Sequence, residues 1–251
     1  MIAAIVQVRM ASTRLPGKVL MEIKGKPLLS YLIEQLRCSK KIEKIIIATT
    51  TNKEDGPIIE LCEQHGILFF RGSEADVLDR YYQAATRFKV DHIVRVTGDC
   101  PLLDPQICDN LIDFYFTGRA DYAHTGESFA EGLDSEIFSY KVLEQSWKEA
   151  KIMSEREHVT PYIRNHPEKF KIIVLQHIKD YSKYRFTLDN PEDFEVCKFI
   201  IESLYSKENS FIPANLIIKY LDHHDQVFNL NSHIVRNEGY IKSLSLDKTV
   251  K

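Results

Sequence analysis

Ile2-Ala3-Ala4-Ile5-Val6 runs directly into Gln7-Val8-Arg9-Met10-Ala11-Ser12-Thr13-Arg14-Leu15-Pro16-Gly17-Lys18, and the fold follows from reading these two pieces together. The apolar run is short, rich in β-branched residues and free of charge, which marks a buried strand of a parallel sheet rather than an alternating edge strand. The loop that follows places Arg9, Arg14 and Lys18, with the hydroxyls of Ser12 and Thr13 and a flexible Gly17, just beyond the strand's carboxyl end. Open α/β sheets bind their ligands there, so three cations at that position call for an anion. The loop is not a Walker motif, because Val19 follows Gly17-Lys18 and Ser12 stands where the first glycine belongs; no G-x-G-x-x-G fingerprint is present either. A phosphate held here is gripped by Arg and Lys side chains and loop amides.

The rest of the chain repeats the opening rhythm. Leu28, Leu29, Leu32, Ile33 and Leu36 recur at helical spacing, and Lys44 to Ala48 reads as a second buried strand. Asp55-Gly56-Pro57 opens a helix, Gly66 to Phe70 is a strand, Val77 to Phe88 a helix, His92 to Val96 a strand, and Ile107 to Tyr115 a helix. Alternating strands and helices imply right-handed crossovers and a three-layer α/β fold, mostly parallel, with helices on both faces. Beyond about residue 120 the rhythm loosens into strands at Leu133 to Phe138, Lys171 to Leu175 and Tyr184 to Thr187, among helices starting near Lys141, Ser154 and Pro191. No linker or repeat interrupts the chain. We therefore expect one domain over residues 1–251: a nucleotide-binding half (1–119), an acceptor half (120–207) and a C-terminal extension (208–251).

Composition narrows the partners. A net charge of -3, with no basic stripe, argues against nucleic acid. The five cysteines are odd in number and form no C-x-x-C, so neither a disulfide framework nor a zinc site is indicated, and a reducing cytoplasm fits best. The apolar start lacks a basic leader and meets Arg9 too soon for a signal peptide or membrane span. The nine histidines, His223-His224 among them, show no metal-ligand spacing.

Read as residues alone, Asp99 follows a buried strand and lies at the same sheet edge as the basic loop; it is either a turn aspartate or a carboxylate that meets bound phosphate through a divalent ion. In Thr187-Leu188-Asp189-Asn190-Pro191-Glu192-Asp193, Asn190 suits the helix N-cap with Asp193 as its reciprocal partner, which leaves Asp189 for a turn or for the same metal. Ser154-x-x-Glu157 reads as a capping box.

The block Gln7 to Leu20 resembles the signature of the cytidylyltransferases that make CMP-activated sugar acids, such as CMP-KDO and CMP-sialic acid synthetases, most of all their spore-coat polysaccharide biosynthesis protein F branch. The likeness continues through Ala48 to Asn52, Phe70 to Arg80, Val94 to Leu102, Ser154 to Tyr162 and Thr187 to Asp193, covering the chain to about residue 205. It implies a Rossmann-like nucleotide-diphospho-sugar transferase (GT-A-like) fold and a Mg²⁺-dependent, CTP-using cytidylyltransferase of surface polysaccharide or glycoconjugate synthesis. A cytoplasmic homodimer is part of that expectation. Carried over residue by residue, it implies nucleotide contacts from Gln7, Val8, Arg9, Ser12, Arg14, Lys18, Asn52, Arg71, Ser73 and Thr97. Lys18, Arg9 and Asp99 become the catalytic candidates, and Asp99 and Asp189 the metal ligands. Thr97 stands where the classical members often carry glutamine, two residues before the metal aspartate.

The acceptor pocket is expected from Asp134, Glu136, Arg156, His158 and Arg185, the two arginines pairing with an acidic acceptor through charge-assisted bonds. Two other readings compete. A glycosyltransferase of the same topology would normally show D-x-D, which Gly98-Asp99-Cys100-Pro101 lacks, and a non-catalytic nucleotide-binding subunit would need neither Asp99 nor Asp189.

Overall fold

In the computed structural model, which describes residues 1–206 and 211–249, the opening apolar run is strand β1 (Ile2–Gln7), with Ala3 to Val6 fully buried. A strand that is apolar on both sides must be covered on both sides. Ala4 and Val6 pack with helices α1 (Leu28–Arg37), α2 (Gly56–Gln64) and α4 (Pro105–Gly118). Ala3 and Ile5 pack on the opposite face with α3 (Val77–Phe88), α5 (Tyr140–Glu149) and α7 (Pro161–Asn165). The three expected layers are therefore present.

A small ribbon pairs β2 (Glu22–Ile23) with β3 (Lys26–Pro27). The main sheet contains β1, β4 (Lys44–Thr50), β5 (Leu68–Gly72), β6 (His92–Thr97), β7 (Tyr122–Thr125), β8 (Glu136–Ser139) and β9 (Ile172–Leu175), in the order β5-β4-β1-β6-β8-β7-β9. Only β8 runs against its neighbours. From β1 the chain builds outward to β4 and β5, then crosses back to place β6 on the other side of β1. The order thus reverses between β1 and β6, and the crevice at such a reversal is the natural ligand site of an open α/β sheet. Gln7 lies in register with Thr97, so Gly98 abuts the end of β1. A Cβ on Gly98 would stand 2.9 Å from Val8 Cγ2 and 3.0 Å from the Gln7 carbonyl, which explains the glycine.

Several expected boundaries shift for identifiable reasons. Gly66 and Ile67 form the turn that closes α2, where Ile67 N–H donates to the Cys62 carbonyl at 2.8 Å, and β5 begins afterwards. Leu133 to Ser135 is irregular, so only Glu136–Ser139 is strand, and β7 arises where none is anticipated. Tyr184 to Thr187 is not a strand; it makes a single bridge, Glu131 with Arg185. Its alternating Tyr184, Phe186 and Leu188 instead fill a third core beneath α8 (Pro191–Leu204) and α9 (Ala214–Leu221). Helix α6 (Met153–His158) starts one residue before the expected cap: Glu155, not Glu157, accepts from Ile152 N–H at 3.4 Å, while Ser154 is held by Asp247. After α9 come α10 (Asp225–Phe228) and α11 (Glu238–Ser245). The expected boundary at 207/208 lies outside the described residues. Among the described residues, no helix is long and apolar enough to cross a membrane.

Candidate active site

The basic loop after β1 is shaped by Asp55, which the sequence alone marks only as a helix opener. Asp55 is buried and accepts hydrogen bonds from Met10 N–H (2.7 Å), the hydroxyls of Thr49 (2.8 Å) and Thr50 (2.5 Å), and Thr50 N–H (3.0 Å). Burial opposes its charge, yet these donors hold its carboxyl below the ordinary range. They pin the loop to the end of β4. Gly17, at φ 69°, then donates its N–H to the Met10 carbonyl (3.0 Å) and turns the chain into a short 3₁₀ segment, Lys18–Leu20.

That turn carries Lys18 inward. Its ammonium, 8% exposed as a residue, lies 2.9 Å from Asp99 Oδ2 and 2.8 Å from Asp189 Oδ1. Burial opposes the charge of Lys18, but the two carboxylates outweigh it and raise its pKa, so the side chain stays protonated. Burial likewise disfavours ionised Asp99, while Lys18 and Thr97 hold it at about 2. Asp99 stands just past Gly98 at the end of β6, and the Asp189 segment is tied to it: Leu188 N–H donates to the Asp99 carbonyl at 2.7 Å and the Thr187 hydroxyl at 3.2 Å. Arg14 bridges Asp189 (2.9 Å) and Glu238 (2.5 Å). The expected cap of α8 forms, with Asp193 accepting from Asn190 N–H at 2.9 Å, so Asp189 is free of that duty.

These groups face a cleft of about 750 Å³ that also receives Gln7, Val8, Arg9, Ser12 and Thr97 from the first half and Asp134, Glu136 and His158 from the second. Asn52, Arg71 and Ser73 are not among its lining residues. Asn52 donates to Glu74 (2.7 Å), which also receives Arg9 (3.2 Å), so that carboxylate links it to the cleft-lining Arg9. Arg71 is taken up by the carbonyls of Thr50 and Asn52 at 3.0 and 2.9 Å. Ser73 accepts from Asp76 N–H, and Asp76 rather than Ser73 caps α3.

Two acceptor candidates, Arg156 and Arg185, do not line the cleft. Arg156 points at Asp76 (2.9 and 2.5 Å) and the Trp147 carbonyl (2.7 Å), which staples α6 to α3. Arg185, 5% exposed, is enclosed by Glu131, Asp193 and Asp189 beneath the cleft. In each case nearby carboxylates supply the paired contacts that an acidic acceptor would have made.

Around Asp134, Glu136 and His158 the cleft brings in groups that the sequence did not single out: Arg95 from the first half, Tyr122 and Arg164 from the second, and Arg236 from the C-terminal extension. Arg95, on β6, joins Glu136 (2.6 Å) to Gln7 (3.1 Å), and Tyr122 donates to Glu136 (3.0 Å). Burial disfavours ionised Glu136, but Arg95 and then Arg164 lower its pKa. Burial first, then Arg95 and Arg164, push the His158 pKa down to about 4, so its ring is neutral near pH 7. Arg236 reaches Asp134 (2.6 Å), and Glu238, Tyr240, Lys242 and Ser243 complete the rim. Among the described residues, no group of three or more His, Cys, Asp or Glu side chains converges for a metal. Asp99 and Asp189, whose oxygens already share one cation, are the carboxylates that would hold a divalent ion. This donor set suits Mg²⁺.

A sequence profile of the cytidylyltransferases matches residues 3–219. The chain is 34% identical over 234 residues to the spore coat polysaccharide biosynthesis protein SpsF of Bacillus subtilis, covering 87% of this chain and 92% of that one. It is 34% identical over 113 residues to the 3-deoxy-manno-octulosonate cytidylyltransferase of Geobacter metallireducens, covering 44% of this chain and 43% of that one. A cytidylyltransferase structure from Leptospira borgpetersenii superposes with a TM-score of 0.85 at 34% identity, covering 90% of this chain and 96% of that one. With a basic loop and two carboxylates at the sheet's reversal point, and matches that span most of its length, the chain belongs to the cytidylyltransferase family and is a nucleotidyltransferase.

Proposed function

We propose that the protein transfers CMP from CTP to an acidic sugar or phosphonate-type acceptor, with release of pyrophosphate, in surface polysaccharide or glycoconjugate synthesis. The observation that carries this reading is Lys18 seated between Asp99 and Asp189, with Arg14 beside it, at the carboxyl ends of β1 and β6. An acceptor oxygen attacks the α-phosphorus, the bond to the bridging oxygen breaks, and that oxygen leaves as part of pyrophosphate. Such a displacement needs positioning and charge neutralisation rather than covalent help. Lys18, Arg9 and Arg14 offset the triphosphate charge, Lys18 being the best placed to stabilise the leaving group. Asp99 and Asp189 would hold a bound Mg²⁺, which would supply further neutralisation of phosphate charge.

The acceptor is read into the second half, where Glu136, Asp134 and neutral His158 offer hydrogen-bonding partners and Arg164 a guanidinium for its acidic group. That a relative is named for 3-deoxy-manno-octulosonate supports a sugar acid as the class. Five cysteines, odd in number and without a C-x-x-C pair, support a cytoplasmic enzyme, and a homodimer rests on the family resemblance alone.

The test is pyrophosphate release from CTP, ATP, GTP and UTP with panels of sugar carboxylates, phosphosugars and phosphonates, with and without Mg²⁺. Release that requires CTP, Mg²⁺ and one acidic acceptor is expected. Release with another nucleotide alone, or with neutral sugars alone, would overturn the reading.

A further inference from the structure

Helix α11 lies across the rim of the cleft yet buries none of its side chains. Its apolar residues face solvent, Ile241, Leu244 and nearby Leu246 being 54%, 46% and 57% exposed. What holds it is polar. Glu238 bonds Arg14 at 2.5 Å, Ser243 meets His158 at 2.9 Å and Glu157 at 3.2 Å, and Asp247, just past the helix, accepts from Ser154 N–H and hydroxyl at 2.8 and 2.7 Å. Helices that bury no apolar face draw little stability from packing, and partly exposed ion pairs add little more.

The contact at its first residue is with the loop assigned to the nucleotide. Arg14 is one of three cations in that loop, and its two terminal nitrogens are occupied by Asp189 and Glu238. A carboxylate and a phosphate seek the same planar donors, and a triphosphate carries several charges against one. Behind α11 stand groups assigned to the acceptor: the Arg164 guanidinium lies 5.2 Å from the Tyr240 ring centre, and His158 meets the same ring edge-on at 5.0 Å.

Resting on the functional reading above, we propose that Glu238 is a resident competitor of the CTP triphosphate for Arg14, and that nucleotide binding releases α11 from the cleft, uncovering Arg164 and His158. The C-terminal helix is thus a nucleotide-displaced cover over the acceptor half.

The experiment uses the full chain with CTP and Mg²⁺. Calorimetry compares the unaltered protein with Glu238→Gln, Arg14→Gln and the double variant, while hydrogen exchange follows residues 238–246 of the unaltered protein with and without CTP. Glu238→Gln should bind CTP about two- to fivefold more tightly, the size of one exposed ion pair, and this gain should vanish in the Arg14→Gln background. Exchange across α11 should quicken when CTP binds. CTP affinity that falls or stays the same in Glu238→Gln, or exchange that slows on binding, overturns the inference while leaving the nucleotide site standing. Failure of the unaltered protein to bind CTP overturns the functional reading and this inference with it.

Discussion

Replacing Lys18 with methionine keeps much of the side chain's bulk and removes the charge that two carboxylates share. The ammonium contacts at 2.9 and 2.8 Å limit the Asp99 and Asp189 oxygens to a separation of about 5.7 Å, at which two unit charges repel by about 3 kcal/mol at an effective dielectric constant near 20. Their side chains are 26% and 20% exposed, so water relieves part of this, and a loss of roughly 1–3 kcal/mol is the expectation. In a chain of this size that lowers the melting temperature by about 2–12 °C. Because the pair then lacks its resident cation, millimolar Mg²⁺ without nucleotide should restore much of the loss in Lys18→Met and do little for the unaltered protein.

Turnover should fall about a hundred- to a thousandfold, as when an electrostatic stabiliser is removed. Thermal melts in EDTA and in Mg²⁺, with a pyrophosphate assay on the same preparations, read all three effects. A melting temperature that drops without rescue by Mg²⁺ would refute the two carboxylates as a cation site. Unchanged pyrophosphate release would remove Lys18 from the mechanism.

Asp55→Ala leaves Met10 N–H and the Thr49 and Thr50 donors without their buried acceptor, so urea unfolding should show a loss of about 2–4 kcal/mol and CTP binding should weaken as the loop loosens; a loss under about 1 kcal/mol would contradict this. His158 has a folded pKa of about 4 against about 6.5 unfolded, so between those values the unfolded chain binds the extra proton and stability falls as pH drops, with a slope approaching about 1.4 kcal/mol per unit. His158→Gln should flatten that slope in pH-resolved unfolding, and an unaltered slope would assign it elsewhere. Arg185→Met should destabilise by about 3–5 kcal/mol because it strands Glu131 and Asp193, whereas Arg164→Gln should leave stability alone and raise the acceptor KM; the opposite pattern would exchange their roles.

These contrasts show which features a sequence can carry. The loop after β1 was legible because a charge-free β-branched run ends at the carboxyl edge of a sheet, and three cations gathered there call for an anion. Asp189 was legible by subtraction, since Asn190 and Asp193 already explain the cap. Guanidinium groups gave no such lead. Arg185 resembles a ligand-binding arginine until Glu131, 54 residues away, and Asp193 are folded around it, and Arg156 is claimed by Asp76 across 80 residues. Helix α11 escaped notice because amphipathic periodicity records burial, and this helix buries nothing.

Arg95 is different, because it offered a usable signal: a charged residue in the middle of the buried strand His92 to Val96 must meet a carboxylate on an adjoining strand. That partner is Glu136, set directly opposite Arg95 by the antiparallel pairing of β6 with β8. The pairing could not be read while β8 was placed from Leu133 and β7 was missing. Once β8 is inserted between β6 and β7, Arg95 joins the two sides of the cleft, holding Gln7 at the end of β1 and Glu136 on β8 with one guanidinium.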